Sequence, residues 1–205
     1  MKFFSIDGGF YKFMTTLKDV IILNFCWLLC SLPIITMGAA TVAAYSVTLK
    51  MVDEREGYVA KEFFHAFKEN LIQGSILGVL ALIATYGLWF NFANFQVMTE
   101  NASVVLLIVG IIGAFVVTFS LLYAFPLVAR YENTIPNILR NSFNISLRFF
   151  IRTLALIVVL VFELLIIFYN VTTIFLGILI GPICIMYTIS GFALYMFRVI
   201  EKDNE

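Results

Sequence analysis

The positions of the basic side chains constrain this 205-residue chain more than any other feature. All 13 Lys and Arg residues lie outside three long apolar blocks, Val20–Leu49, Asn70–Ala129 and Thr153–Phe197, and only Glu100 and Glu163 place charge inside them. A basic side chain at the centre of a bilayer costs about 2.5 to 3.5 kcal/mol on insertion scales. The pattern therefore predicts an all-α, polytopic membrane protein that forms a single integral membrane domain over residues 1–205.

The composition agrees with a membrane protein. Hydrophobic residues make up 62% of the chain and the mean hydropathy is +1.01, whereas soluble domains contain about 45 to 50% apolar residues. The formal net charge is zero, so bulk electrostatics gives no reason to expect a nucleic-acid partner. Cys26, Cys30 and Cys184 all fall in apolar blocks, which predicts neither a disulfide framework nor a metal site. We expect the N-terminus to be retained, because it lacks the pattern of a signal peptide.

The basic residues also predict the orientation of the chain. Three precede the first block, four separate the first from the second, four separate the second from the third, and two follow the last. The connections near residues 96–103 and 170–173 carry no basic residue. Cytoplasmic loops are enriched in Lys and Arg, so both termini are expected in the cytoplasm and these two connections outside.

The second and third blocks are each long enough for two membrane spans, since one span needs about 20 residues. This predicts four full spans, at Gln73–Phe92, Val104–Leu127, Thr153–Tyr169 and Ile174–Phe197.

The first block does not fit one or two full spans comfortably. A single helix over its length would measure about 45 Å, whereas the hydrocarbon core is about 30 Å thick. Pro33 lies near its middle and Gly38 follows, which favours a break there. We therefore expect a short or re-entrant helical hairpin with arms at Val20–Leu32 and Thr36–Leu49. The alternative is one tilted, kinked crossing with the N-terminus outside, which would give five spans.

An amphipathic segment precedes each block. In Val59–Ile72 an apolar stripe contains Phe63 and Phe67 while Lys68 and its charged neighbours occupy the other face, which predicts an interfacial helix ending near Asn70. The stripe as a whole consists of Val59, Phe63, Phe67 and Leu71. Segments Ile135–Phe149 and Phe10–Leu17 repeat the pattern. They suggest three units, 1–50, 51–128 and 129–198, although any helix entering the membrane from the cytoplasm needs a basic collar.

Glu163 is the main candidate for a functional residue within the membrane. It lies about 16 Å of helix rise from Arg152, close to the expected bilayer midplane. Intramembrane carboxyl groups usually face the bundle interior and mark a proton, ion or substrate route. The alternative is a protonated side chain that links neighbouring helices by a hydrogen bond. No intramembrane cation is available as a partner, which favours a neutral carboxyl group.

The hairpin is the second candidate. Small residues four apart let helices approach closely, so this segment is expected to pack against another helix of the chain or to dock with another protein. Polar and aromatic residues around the break belong to the same set, which comprises Asn24, Trp27, Pro33, Thr36, Gly38, Ala39, Ala40, Ala43 and Ala44.

These residues resemble the N-terminal signature of the YesL family of bacterial membrane proteins. The similarity lies in Asn24, Trp27, Leu32-Pro33, Thr36, Gly38-Ala39-Ala40 and Ala44-Tyr45, and continues in Phe63-Phe64, Phe67-Lys68, Asn70, Phe125-Pro126-Leu127 and Ala129-Arg130. Members of the family are often encoded beside carbohydrate ABC transporters and glycan-degrading enzymes of Gram-positive bacteria. The resemblance thus implies a bacterial cell membrane location and an accessory role in sugar transport.

Two functions follow as hypotheses. The first is a non-enzymatic accessory or regulatory subunit that binds the permease of a carbohydrate ABC transporter within the lipid bilayer. The alternative is a small transporter or substrate-binding membrane component resembling an S-component, which would need a ligand pocket. No metalloprotease, nucleophile-elbow or P-loop motif occurs in the sequence. We therefore expect no enzymatic activity, no cofactor and no nucleic-acid partner.

Overall fold

The structure, a computed structural model, describes residues 9–54, 57–94 and 100–203. Within these ranges the chain is all-helical, as the sequence predicts. The α-helices are α1 (Gly9–Ser31), α2 (Met37–Val52), α3 (Val59–Glu69), α4 (Leu71–Asn94), α5 (Glu100–Leu121), α6 (Ala124–Arg130), α7 (Ile135–Arg148), α8 (Phe150–Ile167) and α9 (Val171–Asp203), with a 3-10 turn at Ile34–Thr36 between α1 and α2.

Six segments are long and apolar enough to cross a membrane. They are Lys12–Ser31, Ile34–Val52, Leu71–Asn94, Val104–Arg130, Phe150–Ile167 and Val171–Asp203. The multi-pass architecture is therefore confirmed. The predicted counts of four full spans plus a hairpin, or of five spans, differ from this number, because both arms of the N-terminal hairpin are long enough to count.

The first arm is longer than predicted, because the helix begins before the charged residues Lys12, Lys18 and Asp19 rather than after them. α1 begins at Gly9 and includes the segment Phe10–Leu17, which was predicted to be a separate surface helix. Long Lys side chains can extend from such a helix toward water. Lys12 Nζ lies 2.5 Å from Glu54 Oε1 just beyond α2, so the two arms return to the same end of the bundle. The single kinked crossing is therefore wrong.

Helix α2 forms the centre of the molecule and is the most buried of the six segments. The chain from α3 into α4 runs antiparallel along it. Lys50 Nζ lies 3.0 Å from Glu62 Oε2 near the end of α2, and Gly38 near its start touches the backbone of Gly74 and Gly78. Helices α6 and α9 also pack against α2.

The predicted spans are correct as elements, but one contains a break that was not predicted. The span expected at Val104–Leu127 is divided into α5 and α6 at residues 122–123. Pro126 lacks an N–H group and so cannot donate to the carbonyl four residues earlier, which favours an interruption of the helix just before it. The connection predicted near residues 96–103 lies partly outside the described residues.

The amphipathic segments before the second and third blocks form separate helices, α3 and α7. In α3 the predicted stripe is buried at Val59 and Phe63 and half-buried at Phe67. Leu71, the last residue of the predicted stripe, is the first residue of α4 and is 39% exposed. In α7 the fully buried positions include Ser142 and Ser146. A stripe defined by large apolar residues does not predict buried serines.

Candidate functional site

Glu163 lies on α8 and faces α9. The hydroxyl group of Thr188 on α9 donates a hydrogen bond of 2.5 Å to Glu163 Oε1. The other carboxyl oxygen, Oε2, is buried and has no hydrogen-bond partner among the described residues. A buried polar atom without a partner is unfavourable, so Oε2 is an acceptor for a donor group of a ligand. The hydrogen bond from Thr188 joins α8 to α9, and the role of Glu163 stays a prediction.

A groove of about 300 Å³ begins at this carboxyl group and follows the contact between α8 and α9. Its other lining residues are almost all apolar: Ile166, Ile167, Thr173, Leu176, Gly177, Ile180, Gly181, Cys184 and Ile185. Gly177 and Gly181 lie directly against Ile167, which fixes the spacing of the two helices. The groove can accept an apolar group that carries a hydrogen-bond donor at one end.

A proline inside α9 explains the burial of Asn24. Pro182 has no N–H group, so the carbonyl of Ile178, four residues earlier, has no donor within its own helix. The side-chain amide of Asn24 on α1 donates to Ile178 O at 3.0 Å and to Leu179 O at 2.8 Å. Asn24 is only 1% exposed. The first residue of the family motif therefore joins α1 to the proline-containing part of α9.

A second set of buried polar groups stabilises the break between α5 and α6. The N–H of Tyr123 donates to Ser142 Oγ at 3.2 Å, and the carbonyl of Phe119 accepts from Ser146 Oγ at 2.8 Å and from Ser142 Oγ at 3.3 Å. The hydroxyl groups of Tyr123 and Thr153 lie 3.3 Å apart. Sequence analysis missed this cluster. Pro126 is the sequence signal for the break itself, whereas the serine partners on α7 carry no signal of their own.

The small residues of the hairpin are inside the molecule. Ala39, Ala40, Ala43 and Ala44 are fully buried. A Cβ atom on Gly38 would lie 2.2 Å from Gly74 O and 2.6 Å from Gly78 Cα. These residues pack within the chain, so their side chains offer no surface to another protein.

The tip of the hairpin is exposed and apolar. Leu32, Ile34 and Ile35 are 78%, 69% and 68% exposed, and Pro33 is exposed as well. Thr36 Oγ1 donates to the carbonyls of Cys30 at 2.8 Å and Pro33 at 3.0 Å, so the turn satisfies part of its own backbone. A groove of about 310 Å³ lies beside the tip. It is lined by Trp27, Ile34, Met37, Gly38, Thr41, Gly78, Ala81, Leu82, Thr85, Phe125 and Met186.

Trp27 sits at the wall of this groove, where its indole N–H donates to Thr41 Oγ1 at 3.2 Å. Thr41 Oγ1 in turn donates to the carbonyl of Met37 at 2.8 Å. The pair joins the two arms near the tip. Of the predicted hairpin residues, Asn24 alone makes side-chain hydrogen bonds to α9 among the described contacts.

The predicted interfacial residues have different environments. Phe63 is fully buried and its ring centroid lies 6.2 Å from that of half-buried Phe67. Lys68 is exposed, and the Asn70 amide donates to Ala66 O at 3.0 Å where α3 ends. His65 Nδ1 lies 3.0 Å from Glu69. No group of three His, Cys, Asp or Glu side chains that could hold a metal occurs in the described part of the chain.

Ion pairs join the helices at the end of the bundle where α2 and α9 finish, which we call the charged end. Arg130, Arg148 and Arg198 pair with Glu201, Asp203 and Asp53, respectively. The hydroxyl group of Tyr131 donates to Glu201 Oε1 at 2.5 Å. Burial and this hydrogen bond raise the pKa of Tyr131 to about 12, so the phenol stays a donor at neutral pH.

Comparisons with known proteins agree with the motif analysis. A family model described as "Protein of unknown function, DUF624" matches residues 20–92, which contain the hairpin, α3 and most of α4. The chain is also 27% identical over 146 residues to the uncharacterised protein YesL of Bacillus subtilis (strain 168), which covers 69% of this chain and 68% of that protein. No solved structure matches the chain. Both matches confirm the resemblance to the YesL family that the sequence motifs predict.

Proposed function

We propose that this chain is a non-enzymatic accessory or regulatory subunit that binds the permease of a carbohydrate ABC transporter in the bacterial cell membrane. The sugar-transport role is implied by the resemblance to the YesL family. The hairpin tip is the structural observation that supports docking. Leu32, Ile34 and Ile35 present an exposed apolar surface, and the groove beside them has Trp27 and Thr41 in its wall.

The position of the hairpin tip along α4 also supports a contact with another membrane protein. Near the tip, Ile34 and Met37 line the same groove as Ala81 and Thr85 of α4. Helix α4 continues from Thr85 to Asn94, a further rise of about 13 Å. If α4 crosses the membrane completely, the tip stops short of the outer surface. The hairpin would then be re-entrant, with its tip among acyl chains or against transmembrane helices of a partner.

The proposed topology has both termini, α3 and α7 on the cytoplasmic side, with the charged end at that membrane surface. A background without Cys26, Cys30 and Cys184 allows single cysteines to be introduced at Lys12, Asn170 or Asp203. An impermeant maleimide should label the cysteine at position 170 in intact cells, and those at 12 and 203 only after permeabilisation. External labelling at position 12 would contradict the proposed orientation.

Site-specific photocrosslinking tests the docking surface. A photoreactive amino acid at Ile34 should crosslink to an ABC permease in the native host, identified by mass spectrometry. Val158 provides a matched control, because it is apolar and 51% exposed but lies on α8 away from the hairpin groove. Equal crosslinking to the same proteins from both positions, or crosslinking to lipid alone at Ile34, would exclude the tip as the docking surface.

The second candidate function is a substrate-binding membrane component resembling an S-component. The observation that favours it is the groove at Glu163, where Oε2 is buried without a partner. Glu163→Gln keeps a hydrogen-bonding group of similar size and is expected to fold normally, whereas Glu163→Lys should abolish stable expression.

Small molecules retained by wild-type protein and by Glu163→Gln can be compared by mass spectrometry after purification in mild detergent. A ligand present in wild type and absent from the variant, at unchanged thermal stability, supports substrate binding. Identical retention and stability of wild type, Glu163→Gln and Glu163→Ala would leave Glu163 as a packing residue.

A further inference from the structure

Arg152 differs from the paired arginines of the charged end. It is the third residue of α8, and its Nη2 donates to the hydroxyl group of Tyr195 at 3.0 Å. Its guanidinium carbon lies 3.8 Å from the centroid of the Tyr195 ring, which is a cation–π contact. No ion pair joins Arg152 to a carboxylate of the described ranges. The guanidinium group is therefore held in place without its charge being neutralised.

This guanidinium group borders an open groove of about 540 Å³ beside the C-terminal half of α9. The groove is lined by Val52, Arg152, Tyr187, Thr188, Gly191, Phe192 and Tyr195, so Arg152 is its one charged lining residue in the described structure. A Cβ atom on Gly191 would meet nothing within 4 Å, which leaves room beside the helix for an apolar chain.

The neighbouring carboxylates do not compensate this charge. Asp53 follows the lining residue Val52 but is engaged by Arg198. Glu163 accepts the hydroxyl hydrogen bond of Thr188 at the far end of the groove. It lies 11 residues along α8 from Arg152, a rise of about 16 Å. The end of the groove near Arg152 is therefore suited to an anion.

The position of the groove in the sequence places this end near a membrane surface. Arg152 immediately precedes the uncharged run from Thr153 to Phe162, and Tyr195 lies three residues before Arg198. Arginine and tyrosine at such a boundary lie at the level of lipid headgroups. A guanidinium group has five N–H donors in a fixed plane and binds phosphate oxygens in bidentate fashion, and Tyr195 uses only one of these donors.

We propose that this groove binds the phosphate group of an anionic membrane phospholipid. Arg152 is the phosphate ligand and Tyr195 positions its guanidinium group. The part of the groove along Gly191 and Phe192 accepts the start of an acyl chain. The same phosphate chemistry occurs in soluble phosphate, so the test includes both sources.

Native mass spectrometry of the full chain released from nanodiscs provides the test. In discs containing equal phosphatidylglycerol and phosphatidylcholine, wild type should retain phosphatidylglycerol preferentially. Arg152→Gln should reduce this retention by about tenfold or more, because it removes charge-assisted hydrogen bonds. The matched control is Arg140→Gln, since Arg140 is an exposed arginine of α7 outside the groove and should leave retention unchanged.

Two further measurements decide the outcome. Gly191→Leu fills the groove without changing any charge and should also lower retention, which keeps the proposal testable if Arg152→Gln fails to fold. Inorganic phosphate added at the same concentration should not displace the lipid. Equal losses in Arg140→Gln and Arg152→Gln would indicate non-specific attraction and overturn the proposal. Unchanged retention in Gly191→Leu, or displacement by phosphate alone, would overturn the phospholipid assignment.

Discussion

Pro33 and Pro182 each remove a backbone N–H group, but the carbonyls around them receive hydrogen bonds from different kinds of partner. At Pro33 the chain turns, and the hydroxyl group of Thr36, three residues later, donates to carbonyls of the same turn. At Pro182 the helix continues, and the donor is Asn24, 154 residues away from Ile178 in sequence. The turn at Pro33 is stabilised locally, whereas the free carbonyl at Pro182 depends on the tertiary fold for its donor.

This difference has an energetic consequence. At the exposed Pro33 turn the carbonyls accept from a hydroxyl group of the same turn, so these bonds do not depend on the packing of a distant helix. The Asn24 side chain is 1% exposed, so water cannot replace the hydrogen bonds that its amide N–H groups donate to α9. Loss of a buried hydrogen bond costs the desolvation free energy of the group left behind, about 1 to 3 kcal/mol. We therefore expect mutations at Asn24 to lower the free energy of unfolding more than mutations in the Pro33 turn.

The largest effect is expected where the hairpin meets α4 below the exposed turn. Gly38→Leu would force the backbones of α2 and α4 apart, because even a Cβ atom would overlap Gly74 and Gly78. Overpacking typically costs about 1 to 3 kcal/mol, and here the overlap is with backbone atoms that cannot move aside, so we expect a cost above this range and loss of stable expression. Gly87→Leu is the control, since a Cβ there meets nothing within 4 Å. Equal yields and melting temperatures would show that α2 and α4 do not depend on this close contact.

A smaller loss is expected for Asn24→Ala, which removes both hydrogen bonds to the carbonyls of Ile178 and Leu179 in α9. The free energy of unfolding should fall by about 1 to 3 kcal/mol, measured by thermal or denaturant unfolding in detergent. Asn70→Ala is a suitable comparison, because the Asn70 amide bonds only to Ala66 of its own helix in the described contacts. If the free energy of unfolding falls equally in the two variants, the long-range hydrogen bonds of Asn24 stabilise the fold no more than the local bond of Asn70.

A double-mutant cycle can isolate the link between Asn24 and Pro182. In Pro182→Ala the restored N–H donates to Ile178 O, so the carbonyl no longer needs Asn24 as its donor. Asn24→Ala should then cost less in the Pro182→Ala background, with a coupling free energy of about 0.5 to 2 kcal/mol. Additive effects of the two changes would contradict the assignment of Asn24 as the donor that replaces the missing N–H group of Pro182.

The smallest effect is expected at the exposed turn. Thr36→Val removes the hydroxyl hydrogen bonds but preserves the shape of the side chain. The free energy of unfolding should decrease by about 1 kcal/mol, the usual net contribution of the hydrogen bonding of one neutral hydroxyl group. If Thr36→Val lowers the free energy of unfolding more than Asn24→Ala does under the same conditions, the expected order of the two proline sites is reversed.

The sequence predicts the parts of this fold that depend on local pattern. Basic residues at the ends of apolar blocks mark the spans, and Pro33 marks the turn of the hairpin. The stripe containing Phe63 marks α3. These features depend on neighbours within a few residues, so periodicity and composition reveal them. The division of the chain into units 1–50, 51–128 and 129–198 stays a prediction.

Long-range partners could not be predicted in this way. Asn24 was recognised as a polar residue of the hairpin, but nothing near it in sequence indicates that its partner is the carbonyl of Ile178. Ser142 and Ser146 appear as ordinary polar residues of α7, although they complete the break between α5 and α6. For Glu163, the sequence predicts a position within a span, but it does not indicate the donor Thr188, which lies on another helix. Such pairs require knowledge of which helices are adjacent.

The bond between Asn24 and α9 sets an order for biogenesis. Helix α1 leaves the ribosome first, whereas the carbonyls that receive its amide are made 154 residues later. At a synthesis rate of about 5 to 20 residues per second, this delay lasts about 8 to 30 s. During that interval the newly inserted α1 holds an amide whose final partner does not yet exist, so an insertase or a chaperone has time to engage it. A nascent chain that terminates before Ile178 would keep this amide unsatisfied and should be a target for membrane proteolysis.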